Sequence, residues 1–70
     1  MKIVLSYHAK KRLIERGIKL QEVEETIEIP DYTISKGNQK EAYKKITGKT
    51  LKVVYTEEDK YIKVITLIWK

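Results

Sequence analysis

The chain has 70 residues, carries a formal net charge of +5 at pH 7 and contains no cysteine. That length holds one small core and no second domain, and the lack of cysteine rules out a disulfide framework or a thiolate metal site and suits a reducing compartment. The opening "MKIVLSYHAKK" has no long apolar run, and "YIKVITLIW" is too short to span a bilayer and is interrupted by Lys63, so a single cytoplasmic domain over residues 1–70 without a membrane segment is expected.

In chain order, "KIVLS" is a short extended lead. Ser6 is placed as N-cap of a helix running to about Arg16, with Gly17 as its stop. A second helix is expected over Leu20 to Glu28, its apolar stripe formed by Leu20, Val23 and Ile27 and its end set by Pro30. Beyond Pro30 the apolar period changes to two, punctuated by "KGNQ", "TGKT" and "EEDK". Four strands follow, near Tyr32–Ser35, Lys40–Thr47, Thr50–Thr56 and Lys60–Trp69. The expected architecture is α+β, with two N-terminal helices packed on one face of a four-stranded antiparallel sheet.

The turns suggest a register. A two-residue loop at Glu58 and Asp59 sets Tyr55 opposite Ile62, Val53 opposite Val64 and Leu51 opposite Thr66. A loop at Gly48 and Lys49 sets Ile46 opposite Leu51 and Lys45 opposite Lys52. One sheet face is then mostly apolar, and the other gathers Tyr43, Lys45, Lys52, Thr56, Tyr61 and Lys63. Two residue sets break the pattern. Lys44 falls on the apolar side, and Ile65, Leu67 and Trp69 fall on the basic side, which calls for cover by the N-terminal segment or a partner subunit.

Charge is unevenly spread. Gln21 to Asp31 carries five acids and no base, whereas Lys36 to Lys52 carries six lysines against Glu41 alone. A basic surface of this kind attracts polyanions, and ordinary Lys/Glu enrichment of a solvated surface accounts equally well for any single lysine. The only histidine and both arginines lie in "YHAKKRLIERGI". Four helical residues turn through about 400°, so His8, Arg12 and Arg16 form one stripe with a drift of about 40° per step. Guanidinium forks can clamp an oxyanion in a way that lysine cannot, whereas each arginine alone is also explained by the helix dipole or by pairing with Glu22 or Glu25.

His8, Ala9, Arg12, Arg16, Gly17 and Ile18, followed by an acidic helix ending at Pro30 and by "AYKKITGKTLKVVYTEEDKYIKVITLIW", resemble the small prokaryotic family called domain of unknown function 4258. That family is similar in layout to toxins of the RelE and ParE type, a group that includes metal-free ribonucleases. The resemblance implies a RelE-like fold and an RNA-directed, toxin-like role with RNA and an acidic antitoxin as partners. The chain departs from the better-known RelE-type ribonucleases, since Lys70 is its only basic residue after Lys63 and its distinctive charges lie on the first helix.

Three functional expectations follow, the third a domain that binds a protein partner, an acidic antitoxin covering its basic surface. In the first, a metal-independent endoribonuclease, His8 is the general base for the 2′-hydroxyl, Arg12 and Arg16 hold the phosphate, and Tyr43 is the acid or a stacking group; Thr66 either orients His8 or is a buried threonine satisfied by backbone. In the second, a non-catalytic RNA-binding module, Lys45, Lys52 and Lys63 contact phosphates while Tyr43 and Tyr61 stack on bases. A helix-turn-helix reading of "LIERGIKLQEVEETI" fails on charge, because its recognition helix would carry Glu22, Glu24, Glu25 and Glu28. One histidine and no cysteine call for no metal or cofactor, and the three glycines are each explained by a turn.

Overall fold

The computed structural model describes residues 2–70. The elements run β1 (Ile3–Leu5), α1 (Tyr7–Glu15), α2 (Leu20–Glu28), β2 (Tyr32–Lys36), β3 (Gln39–Ile46), β4 (Lys49–Glu57) and β5 (Ile62–Trp69). All the strands form one sheet of order β1-β5-β4-β3-β2, in which β1 is parallel to β5 and the other pairs are antiparallel. The four-stranded antiparallel sheet expected from the sequence is therefore corrected to a five-stranded mixed one. The lead segment is the fifth strand: Ile3 pairs with Ile62 and Leu5 with Val64. Three residues carry too little periodicity to announce a strand, and a parallel partner 59 residues away leaves no turn in the sequence to reveal it.

The helices form where local signals place them. Ser6 accepts a hydrogen bond from the Ala9 amide at 3.0 Å and so caps α1, while Gly17 takes the positive φ that ends it. In α2 the Glu22 carboxylate reaches back to the Lys19 amide at 2.9 Å. The helices divide the sheet between them. α1 lies against β5 and β1, and α2 against β4 and β3. Ala9 from α1 and Val23 and Ile27 from α2 bury in one cluster with Ala42, Leu51, Val53, Tyr55, Ile62, Val64 and Leu67. Leu20, placed on the apolar stripe of α2, is half exposed.

Both guessed registers shift. The β3–β4 turn sits at Thr47 and Gly48, whose φ angles of 49° and 83° suit a two-residue hairpin loop, and not at Gly48 and Lys49. Ile46 therefore faces Lys49 and Tyr43 faces Lys52, a displacement of two that leaves the two faces unchanged. Between β4 and β5 the loop is longer than two residues, since Glu57 pairs with Ile62. An irregularity then falls between Val54 and Tyr55: Tyr55 faces Val64, whereas Val54 faces Thr66, and Ile65 is the extra residue. This bulge resolves the conflict in the sequence pattern. It reverses the parity of the end of β5, so Leu67 joins the core and Trp69 packs against it without cover from a partner.

Lys44 does lie on the core side, opposite Leu51. Its stem crosses that face and its ammonium donates to the Ile29 carbonyl at 2.9 Å, capping the end of α2. No helix among the described residues is long and apolar enough to cross a membrane.

Candidate functional site

Alternation along the strands separates two groups of polar residues. Ala42, Val53 and Val64 point into the core, so Glu41, Tyr43, Lys45, Lys52, Val54, Thr56 and Lys63 turn to the opposite side of the sheet. Tyr32, Ile34 and Lys36 of β2 extend this side, because they pair with Tyr43, Glu41 and Gln39. Among the described residues, no helical residue enters the core from that side. The sheet leaves it open.

At the β2–β3 side of the open face the Tyr32 and Tyr43 rings stack, with centroids 4.6 Å apart and an interplanar angle of 11°. Tyr43 is 7% exposed beneath Tyr32, which is 54% exposed. The Tyr43 hydroxyl donates to Glu41 Oε1 at 3.1 Å. Lys52 and Lys36 place their ammonium groups 3.5 and 3.6 Å from Glu41 Oε2, and Lys52 lies 5.8 Å from the centre of the Tyr43 ring.

These neighbours set the protonation states. Burial alone favours a protonated Glu41, but the Tyr43 hydrogen bond and the charges of Lys36 and Lys52 together outweigh it and hold the carboxyl below its ordinary value. Burial, then the hydrogen bond to Glu41, raises Tyr43 above the usual phenol range. Tyr43 is thus a neutral donor locked onto a carboxylate.

His8, Arg12 and Arg16 lie elsewhere. His8 is exposed in the first turn of α1. Arg12 is half-buried and pairs with Glu15 at 2.6 Å, a partner other than the Glu22 or Glu25 expected. Arg16 Nη1 donates to the Leu67 carbonyl, and the Arg16 carbonyl accepts from Trp69 Nε1 at 2.9 Å. The guanidinium of Arg16 is thereby committed to the end of β5. The fold keeps His8 and Tyr43 on different sides of the sheet, with β4 and β5 between the strand bearing Tyr43 and the helix bearing His8. Thr66 faces Val54 and alternates away from buried Leu67, so it does not lie beneath α1 to orient His8.

By contrast, Lys45, Lys52 and Lys63 share the open face with Tyr43, and Tyr61 stands exposed at the β4–β5 turn beside Lys63. Lys45 and Lys63 are exposed and Lys52 is half-buried. Tyr32 and Glu41 are among the members of this face that escaped the sequence reading. Tyr32 was hidden because its stack with Tyr43 depends on the β2–β3 register, and Glu41 because it is the one acid in a basic segment. The "KGNQ" turn fixes that register, so both were recoverable from the hairpin loop alone.

The arrangement is that of a small α+β domain with a sheet face left free of helices. The family model for the domain of unknown function (DUF4258) matches residues 5–69, and the chain belongs to that family. No curated protein and no solved structure matches the chain. Nothing in these comparisons supports the expected RelE-like layout, and the mixed five-stranded sheet departs from the form in which it was expected.

Proposed function

We propose that this domain is an RNA-binding module that takes single-stranded RNA across the open face of its sheet. The observation that carries the reading is the exposed Tyr32 ring, stacked on Tyr43 on a face that also carries Lys45, Lys52 and Lys63. A flat sheet presents an aromatic ring to the π-face of any base, and lysines beside it neutralise the connecting phosphates. Tyr32 is the stacking residue, with Tyr43 as its rigid support. Lys45 and Lys63 are the phosphate contacts, and Lys52 divides its charge between Glu41 and the open face.

Binding without cleavage fits the site better than catalysis does. Metal-free cleavage needs a base, a cation and an acid around one phosphate. The groups named for those roles are divided between α1 and the opposite sheet face, and Arg16 is engaged by Leu67. The reading is tested by fluorescence anisotropy of a labelled oligouridine in EDTA, at several salt concentrations. Affinity should fall steeply with salt while the oligonucleotide stays intact. Binding that ignores salt, or shortening of the oligonucleotide, would defeat it.

A further inference from the structure

The strand β2 forms one margin of the sheet. All five of its residues, Tyr32–Lys36, are exposed, and none is proline. Antiparallel pairing with β3 occupies the backbone groups of alternate residues, so the other alternate set points outward along this margin. Protein edges are usually blunted by proline, by a bulge, by inward-pointing charge or by a covering element. The register of β2 with β3 runs unbroken through all five pairs, and its one charge, Lys36, sits at the end. The opposite margin is treated differently. There β1 covers only Ile62–Val64, and Ser6 and Arg16 take the carbonyls of Ile65 and Leu67.

The sequence of β2 complements its own reverse. If two copies of "YTISK" run antiparallel about a twofold axis at Ile34, Ile34 meets Ile34, Thr33 meets Ser35 and Tyr32 meets Lys36. Each pairing is favourable across neighbouring strands: apolar on apolar, hydroxyl on hydroxyl, and a cation beside an aromatic ring. Tyr32 and Ile34 remain 54% and 39% exposed, and both lie on the open face where such a contact would cover them in part. No like charges meet across the axis.

We infer that two copies of this chain pair through β2, antiparallel and centred on Ile34, to make one continuous ten-stranded sheet. A twofold axis through such a pair runs perpendicular to the sheet, so the two open faces look the same way. The Tyr32 stacks then stand on either side of the axis with the lysines flanking them. The dimer contact shares Tyr32 with the proposed RNA face but is argued from the strand edge alone, and it is tested without RNA.

Sedimentation equilibrium over a rising protein concentration should show a mass approaching twice the 8.3 kDa of the chain. Because residue 34 meets its own copy, Ile34→Lys alone and Ile34→Glu alone should each stay at the monomer mass, and an equimolar mixture of the two should regain the dimer. Ile14→Lys, at a still more exposed apolar position on α1, should dimerise like the parent. A circular dichroism spectrum matching the parent's and a cooperative thermal transition confirm that the variants remain folded. A parent that stays monomeric throughout overturns the inference. So does a dimer that survives Ile34→Lys, or a mixture that fails to re-form it.

Discussion

The two margins of the sheet spend their polar residues in opposite ways. At the β5 margin, a serine, an arginine and a tryptophan are consumed in joining α1 to the strand: Ser6 Oγ donates to Ile65 O at 3.1 Å, Arg16 donates to Leu67 O, and Trp69 Nε1 donates to Arg16 O. At the β2 margin the backbone lies open, and Tyr32, Lys36 and Lys45 stay on the surface. The same inventory of donors and cations thus closes one half of the molecule and equips the other. An unusual residue in a sequence is therefore not by itself a functional one. Arginine draws notice in a lysine-rich chain, yet Arg16 serves the strand that β1 is too short to cover.

Substitutions that act on one half and spare the other sharpen this contrast. The largest effect is expected at the closed half from Leu67→Ala, where loss of a fully buried side chain costs about 2–5 kcal/mol. For a domain of this size that approaches the whole stability, which urea unfolding will read. At the open half, Tyr32→Ala should weaken oligouridine binding by about 1–3 kcal/mol through lost stacking. Its cost to folding, from the pair with Tyr43, should be only about 0.5–1.5 kcal/mol. Arg16→Met keeps the apolar stem and removes the donor to Leu67, so it should cost about 1–2 kcal/mol of stability and leave RNA affinity unchanged. A loss of affinity with no loss of stability would reverse the roles assigned to the two halves.

The smallest effect is a pH dependence. Glu41 is held below its ordinary value of 4.5 in the folded protein, so the unfolded chain binds its proton first as pH falls. The stabilisation is fully present above that value and is lost as pH drops from it through the folded-state value. Glu41→Gln should therefore lower stability at neutral pH, with the gap to the parent narrowing below pH 4.5. A gap that stays constant through that range would mean that Glu41 gains nothing from Tyr43, Lys36 and Lys52.

Much of the fold is legible in local chemistry. Ser6, Gly17 and Pro30 bound the helices, and the glycine turns mark the hairpins, because each of these residues acts through its immediate neighbours. What stays hidden is non-local. Parallel pairing of Ile3–Leu5 with β5 leaves no turn signature, and the bulge at Ile65 appears only as a change of parity in "VITLIW" that looks like misplaced apolar residues. The faces are easier to read than the partners: Tyr43, Lys45, Lys52 and Lys63 fall on one side even with both registers displaced, since a shift of two preserves alternation. The helix stripe of His8, Arg12 and Arg16 has the right spacing, but spacing cannot tell that a carbonyl of β5 awaits Arg16. Nor can it reveal Tyr32 over Tyr43 until the "KGNQ" turn is used to set the pair.

The central claim is that RNA is met by the open sheet face and not by α1, and charge-matched variants test it most directly. Lys45→Gln/Lys63→Gln removes two exposed charges from the sheet face, and Lys10→Gln/Lys11→Gln removes two exposed charges from α1. The slope of affinity against salt for a labelled oligouridine in EDTA should become shallower by about two phosphate contacts in the first variant and stay close to the parent in the second. Equal changes in both would reduce the interaction to net charge, and a change confined to the α1 variant would place the interface on the helix and contradict the account.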